Sequence, residues 1–159
     1  MSNRFLPALF GCCLAAGAQG AEMPKSGETA YTTAYTAAAV TTMKLGDRTV
    51  ATQDLTGITT NDEGGPMFNN MGTRCLGTRD ATGSEVRSRG TCVDVDGDGD
   101  QVFSDYEADA KGGTHTFLGG TGKYKGITGT ATYTFRPVKS PEGVNRMFIV
   151  PHKAKWQIP

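Results

Sequence analysis

The alternation of apolar and polar residues is clearest between positions 126 and 136. The odd positions there hold Ile127, Gly129, Ala131, Tyr133 and Phe135, whereas the even positions from 128 to 134 are all threonine. Successive side chains of a β-strand point to opposite faces of the sheet. The alternation therefore predicts an antiparallel strand with one buried face and one face in water.

Segments rich in threonine, valine and aromatic residues recur along the chain, separated by glycine-rich turns. Segment 26–42 has enough alanine for a helix, but its repeated threonines and its tyrosines favour a strand. Pro151 predicts a sheet edge or a bulge. The candidate strands are 26–42, 48–53, 55–60, 71–76, 85–95, 101–106, 114–118, 126–136 and 146–150. We expect about seven or eight strands to form from these segments, and short strands at this spacing predict a single all-β domain, a barrel or a sandwich.

The first twenty residues have the features of a secretory signal peptide. Arg4 is followed by an uncharged apolar stretch that is too short to span a membrane, and Ala18-Gln19-Gly20 fits a small-x-small cleavage site. A lipoprotein is the alternative, because Leu9-Phe10-Gly11-Cys12 loosely matches a lipid-attachment site, although Phe10 is bulky for one. We expect a signal peptide over 1–20, cleavage near Gly20-Ala21, a barrel domain over 21–159 and a periplasmic or secreted product.

The charge balance argues against two classes of partner, nucleic acid and anionic membranes. The chain carries 16 basic and 16 acidic residues, and loss of Arg4 with the signal peptide leaves a net charge of about −1. Proteins that bind nucleic acid or anionic membranes in general show a basic excess. We therefore expect no nucleic-acid partner. We also expect no membrane span in the mature chain, because no second apolar run approaches spanning length.

Cys75 and Cys92 are the two cysteines beyond the signal peptide. In an oxidising compartment an isolated pair is most simply a disulfide, which would stabilise the fold by about 3 kcal/mol. Two buried free thiols are the alternative. Neither cysteine belongs to a C-x-x-C motif, which argues against a metal site.

Two segments carry a resemblance to a known family. Residues 92–103, Cys-Val-Asp-Val-Asp-Gly-Asp-Gly-Asp-Gln-Val-Phe, are followed by residues 119–129, Gly-Gly-Thr-Gly-Lys-Tyr-Lys-Gly-Ile-Thr-Gly. This order resembles small secreted bacterial proteins related to the allene oxide cyclase and dirigent barrels, over roughly 74–135. The resemblance implies a calycin-like antiparallel barrel of about eight strands with an apolar cavity. It implies no cyclase activity, because the plant enzymes' catalytic residues cannot be placed on this sequence.

The glycines of 119–126 do not form a phosphate-binding loop. Gly122-Lys123 is followed by Tyr124 instead of serine or threonine, and a strand follows where a nucleotide site needs a helix. We expect these glycines to supply positive φ angles for a turn.

The acidic segment that begins at Asp94 matches a calcium-loop pattern, in which carboxylates at alternate positions converge on one cation. The last position holds aspartate instead of the usual glutamate, and Gln101 stands where an apolar residue is usual. A hairpin tip is the alternative, because Asp-Gly pairs between strands favour one. Ca²⁺ is the cofactor suggested by the sequence, and its candidate ligands are Asp94, Asp96, Asp98, Asp100 and Asp105.

Acid–base chemistry and ligand binding have several candidate residues. Asp105 and Glu107 share a strand face opposite Tyr106, which predicts a solvated acidic face. The other titratable candidates are Tyr133, His115, His152 and Arg136, of which we expect the two histidines at the surface. Three aromatic residues are candidates for lining a ligand pocket, with core packing as the alternative: Tyr106, Tyr133 and Phe135.

Three functions remain open, because no motif of a known catalytic class is present. The first is a binding module that holds a small apolar or aromatic molecule in the barrel lumen. The second is an isomerase or cyclase that shapes a bound substrate, and the third is a structural or partner-binding exported protein. An apolar cavity favours the first, a cavity with an inward-facing charge the second, and a filled lumen the third.

Overall fold

A computed structural model describes residues 23–159, so the predicted signal peptide lies outside the described residues. This part of the chain contains no α-helix and no helix long and apolar enough to cross a membrane. Its strands are Ser26–Leu45 (β1), Arg48–Asn61 (β2), Met71–Thr82 (β3), Glu85–Val95 (β4), Gln101–Ala108 (β5), Gly112–Gly120 (β6), Thr128–Thr134 (β7), Arg136–Pro137 (β8) and Met147–Gln157 (β9).

The strands form one antiparallel sheet that closes on itself. β1 to β7 pair in sequence order, β9 pairs with β7, and β9 also pairs with β1. The two-residue β8 pairs with β9 alone and stays outside the ring. The closed ring therefore has eight strands, which confirms the predicted antiparallel barrel and decides against a sandwich.

The strand predicted from the clearest alternation is confirmed as β7. Ala131 and Tyr133 are buried inside the barrel, whereas the threonines that alternate with them along β7 are exposed. Segments 48–53 and 55–60 join into one strand, β2, and the predicted strand 71–76 continues to Thr82. The extra length follows from hairpin pairing, because β2 and β3 stay in register from Thr59↔Met71 to Arg48↔Thr82.

Glycines with positive φ make the tight connections. Gly46 and Gly83 begin the two-residue turns of the β1–β2 and β3–β4 hairpins, with φ of 66° and 59°, as such turns require. Between β6 and β7, residues Gly122–Tyr124 form a 3₁₀ turn in which Gly122 has a φ of 48°. The prediction of a glycine turn here is confirmed.

The expectation for Pro151 needs correction, because this residue lies inside β9 and not at a sheet edge. It pairs with Thr32 of β1 on one side. On the other side it falls in the gap between the pairs Tyr133↔His152 and Arg136↔Ile149. A proline is tolerated here because β9 changes its partner from β7 to β8 at this point.

Candidate functional site

One end of the barrel interior is filled by buried side chains, two of which come from the loop between β2 and β3. Phe68 of this loop is completely buried, although its φ is 52°. Its ring packs on Tyr31 and Phe117, with centroids 4.5 and 5.2 Å apart, and meets Trp156 edge-on. We call this group the packed cluster; its members are Tyr31, Met67, Phe68, Met71, Val102, Phe117, Tyr124, Ile127, Ala131, Ala154, Trp156 and Ile158.

The other end of the interior holds a cavity of about 310 Å³. Its walls are buried aromatic and aliphatic side chains together with the disulfide, and half-buried or exposed residues surround its mouth. We call the buried apolar group at this end the open cluster; its members are Tyr35, Ala37, Leu55, Cys75, Cys92, Tyr106, Tyr133, Phe148 and Val150. The volume lies at the lower end of the range typical of small-molecule sites.

The three residues predicted to line a pocket lie together on the cavity wall. Tyr106 comes from β5 and Tyr133 from β7, while Phe135 follows β7 and meets the Tyr133 ring edge-on at 5.6 Å. The Tyr106 ring covers two glycines, Gly77 and Gly90, where any side chain would collide with it. That these residues contact a ligand stays a prediction.

The predicted disulfide joins Cys75 to Cys92 and is confirmed. The two residues are directly paired on β3 and β4, and both face the cavity. The hydroxyl of Tyr35 lies 3.5 Å from Cys75 Sγ. The disulfide is therefore part of the cavity wall as well as a bond between strands.

A layer of buried polar residues separates the packed cluster from the open cluster. On β1, for example, Thr33 lies between Tyr31 and Tyr35, and on β5 Ser104 lies between Val102 and Tyr106. We call this layer the polar belt; it consists of Thr33, Thr59, Thr73, Asp94, Ser104, His115 and His152. Each of the strands β1 to β6 and β9 contributes one inward-facing residue to the belt, so the layer passes around most of the barrel.

Asp94 ends a chain of hydrogen bonds within the belt. Its carboxyl accepts a bond of 2.5 Å from Thr73 Oγ1, and bonds of 2.7 Å join Thr73 to Thr59 and Thr59 to Thr33. Because each hydroxyl has one proton, each threonine must donate towards Asp94. Burial raises the pKa of Asp94 to about 6, although the hydrogen bond from Thr73 acts to lower it.

The expectation that both histidines lie at the surface is wrong. His115 and His152 are 7% and 3% exposed, and their ring centroids are 5.4 Å apart inside the barrel. Nδ1 of His115 lies 3.1 Å from Ser104 Oγ. Burial lowers the pKa of His115 to about 4, and burial together with the neighbouring His115 lowers the pKa of His152 to about 3. Both rings are therefore neutral at pH 7.

A signal for these histidines is present in the sequence. His152 continues the series Phe148, Val150, Ala154 and Trp156 along the inward face of β9. His115 likewise shares its face of β6 with Phe117. Applying the alternation to polar as well as apolar residues would have placed both rings inside.

The aspartates of the calcium pattern do not converge in this structure. Asp94 points into the barrel, whereas Asp105 is exposed and accepts a hydrogen bond of 2.7 Å from Thr91. Asp96 and Asp98 each lie 2.6 Å from the ammonium group of Lys123. Asp100 instead accepts a hydrogen bond from the Lys123 backbone N–H.

Among residues 23–159 no group of three or more acidic, histidine or cysteine side chains is placed to hold a metal ion. Residues 96–100 form a hairpin tip, in which Gly99 has a φ of 86° and its N–H donates to Asp96 O. Calcium binding stays a prediction, which melting with added Ca²⁺ and with a chelator would test.

The remaining candidates lie away from the cavity. Asp105 and Glu107 are exposed on the outer face of β5, opposite Tyr106, as their shared face predicted. Arg136 is exposed in β8. None of the three lines the cavity.

Charged residues at the mouth of the cavity were not singled out by the sequence. Arg79 and Arg146 line it together with Asp109. Arg79 follows Thr73, Cys75 and Gly77 on the inward-facing positions of β3. An argument from alternation could have placed Arg79 inside, but nothing local marks Arg146.

Comparisons with known proteins support the fold and no more. No family model and no curated protein matches the chain. Among solved structures it is similar to the pterocarpan synthase dirigent protein GePTS1, with 14% identity, 96% of this chain and 100% of that chain covered, and a TM-score of 0.50. At this identity the likeness concerns the backbone alone. The chain is thus an all-β protein with a closed, dirigent-like eight-stranded barrel.

Proposed function

We propose that this protein is a binding module that holds a small apolar or aromatic molecule in the open half of its barrel. The observation that carries the proposal is the contrast between the two halves of the interior. Phe68 and its neighbours fill one half, whereas a cavity of about 310 Å³ occupies the other. A purely structural barrel has no need of such a cavity, since filling it would add dispersion contacts and stability.

The lining of the cavity favours an aromatic guest. Phe148 and Tyr35 stack with ring centroids 5.4 Å apart, and Phe135 meets Phe148 edge-on at 6.3 Å. Planar rings gain both apolar burial and favourable ring–ring geometry against such walls. The charged residues that line the cavity, Arg79, Asp109 and Arg146, are half-buried or exposed at its mouth, so its buried wall is uncharged, which favours binding over catalysis. The inward-facing position of Arg79 nevertheless keeps the isomerase or cyclase as the second candidate.

A fluorescent apolar probe, N-phenyl-1-naphthylamine, tests the proposal. We expect saturable binding to the protein, reported by a rise in probe fluorescence. Val86 lines the cavity from the inward face of β4, so Val86→Trp should fill the mouth and weaken binding on the order of tenfold, the loss of about 1.4 kcal/mol. Val93→Trp is the matched control, because Val93 lies on the outer face of the same strand.

Two results would contradict the binding proposal. One is the absence of saturable probe binding by the folded protein. The other is an equal loss of affinity in Val86→Trp and Val93→Trp, which would place the probe outside the cavity.

The second candidate function is an isomerase or cyclase, and His115 is the observation that favours it. Its neutral imidazole is on the cavity wall, 5.0 Å from the Tyr133 ring centroid, and can exchange a proton with a bound molecule. Mass spectrometry of the small molecules that co-purify with the protein from its own source tests this. If the protein is an enzyme, the molecule that co-purifies with His115→Gln should be a different isomer from the one that co-purifies with the wild type. Identical molecules in the two preparations favour binding alone.

We also propose that the protein acts outside the cytoplasm. The Cys75–Cys92 disulfide supports this, because such bonds persist in oxidising compartments. N-terminal sequencing of the protein from its own source should begin near Ala21. A retained N-terminus in the cytosolic fraction would overturn export.

A further inference from the structure

We infer that the molecule held by this cavity carries an anionic group, such as a carboxylate, which Arg79 and Arg146 bind at the mouth. This inference rests on the proposed binding function and names the class of ligand. An aromatic carboxylate fits, since its ring would lie among the buried aromatic walls and its charge would remain at the rim.

Arg79 is placed at the rim by the pleat of β3. It pairs with Ala51 of β2 and with Ser88 of β4. Both partners face the interior, near the point where the β1–β2 and β3–β4 hairpins extend beyond the closed ring. Its neighbours on the same face, Cys75 and Gly77, lie deeper in the barrel. A cation on the inward face of a strand is costly unless it reaches water or an anion.

Arg146 is brought to the same rim from the other side. It immediately precedes β9, and its carbonyl accepts a hydrogen bond of 2.9 Å from the N–H of Ala37, where β1 leaves the ring. Its guanidinium lies over the ring of Phe148, 5.5 Å from the centroid. This cation–π contact holds the charge above an aromatic wall of the cavity.

Within the part of the chain that the structure describes, neither Arg79 nor Arg146 forms an ion pair. Arg48 and Arg74, in contrast, form ion pairs with Asp80 and Asp54 on the outer surface. Asp109 also lines the mouth, but its carboxylate accepts hydrogen bonds from the backbone N–H groups of Lys111 and Gly112. With His115 neutral, the cavity lining carries an excess of positive charge.

Guanidinium groups suit this role because their planar N–H forks match a carboxylate. At the mouth of an apolar cavity, the attraction between two guanidinium groups and an anion is stronger than in bulk water, since the cavity walls exclude part of the solvent. A neutral aromatic molecule of the same shape gains the wall contacts alone. The arginines therefore predict a preference for the charged compound.

The test compares 2-naphthoate with 2-naphthamide, which have nearly the same shape and differ in charge. Calorimetric titration should show naphthoate binding on the order of tenfold more tightly, as expected for charge-assisted hydrogen bonds. Arg79→Gln and Arg146→Gln should each remove most of this preference without changing the affinity for naphthamide. Arg89→Gln is the matched control, because Arg89 is exposed on the outer face of β4 and its loss changes the net charge equally.

The outcomes separate this inference from the proposal on which it rests. Equal wild-type affinities for the two compounds would overturn the anion site and leave the binding function standing, and this comparison requires no variant to fold. An equal effect of Arg89→Gln would show that the preference arises from net charge and would also overturn it. Failure of both compounds to bind would contradict the binding function itself.

Discussion

The ring of His152 stacks on the ring of Tyr31, with centroids 4.2 Å apart and planes within 10° of parallel. The contact joins β9 to β1, where the two residues are directly paired and the barrel closes. Tyr31 in turn packs on Phe68, so the histidine is covered by the packed cluster. An imidazole in this position must remain neutral, because a proton on it would be buried without an anion beside it.

The first prediction is a loss of stability in mild acid. Burial lowers the pKa of His115 to about 4 and the pKa of His152 to about 3, against about 6.5 in an unfolded chain. As the pH falls from about 6.5 towards 4, the unfolded chain therefore binds protons that the folded chain does not, and the free energy of unfolding decreases. The urea midpoint should be lower at pH 5 than at pH 7.

His152→Phe identifies the group responsible for this pH dependence. The substitution keeps a ring on Tyr31 and removes one titrating group, so the midpoint should fall less between pH 7 and pH 5. Lys153→Gln, at the adjacent outward-facing position, should keep the wild-type pH dependence. Wild-type midpoints that are equal at the two pH values would contradict the neutral, buried state of the histidines.

The second prediction concerns Asp94, whose ionisation changes the free energy of unfolding with pH in the direction opposite to that of the histidines. Burial raises its folded pKa to about 6, so between its unfolded value of about 3.9 and pH 6 the folded chain binds a proton that the unfolded chain has lost. Stability therefore decreases as the pH rises through this window. The effect is smaller than that of the two histidines, because the pKa of Asp94 moves less.

Asp94→Asn isolates this contribution. The amide oxygen can still accept the hydrogen bond from Thr73, and no charge is buried. The stability of Asp94→Asn relative to the wild type should increase from about pH 4 to pH 6, by on the order of 1.4 kcal/mol per unit of pKa difference, and then stay constant. Urea unfolding over this range measures it; a difference that does not vary with pH would exclude the raised pKa.

The third prediction separates the two halves of the barrel. Phe68→Ala removes a fully buried ring from the packed cluster and should lower the free energy of unfolding by about 3–5 kcal/mol. Because the polar belt lies between this cluster and the cavity, the affinity for N-phenyl-1-naphthylamine should stay close to that of the wild type. Guanidinium unfolding and probe titration measure the two effects.

Phe148→Ala provides the comparison at the other end, since Phe148 lines the cavity. It should weaken probe binding as well as stability. Probe affinity that falls equally in Phe68→Ala and Phe148→Ala would show that the two halves are not independent.

Alternation along the strands is sufficient to predict an all-β domain, because the side-chain period of two follows from local backbone geometry. It leaves a barrel and a sandwich both open, and the barrel is predicted by the family resemblance of residues 92–103 and 119–129. Alternation correctly assigned Tyr133 to the inside and Glu107 to the outside. The same alternation places His152 on the inward face of β9, whereas the usual exposure of polar residues predicts the surface. Its burial depends on the ring of Tyr31, which lies on a strand distant in sequence.

The sequence by itself determined the strands, their inward and outward faces, the glycine turns and the pairing of the two remaining cysteines. Three features were decided by tertiary structure alone: the closure of β9 on β1, the filling of one half of the lumen by the loop residue Phe68, and the placement of both Arg79 and Arg146 on the lining of the cavity in the other half. The physical reason is the distance along the chain over which each effect acts. Backbone alternation acts over neighbouring residues, whereas a cavity exists only where side chains from separate strands fail to fill the space between them.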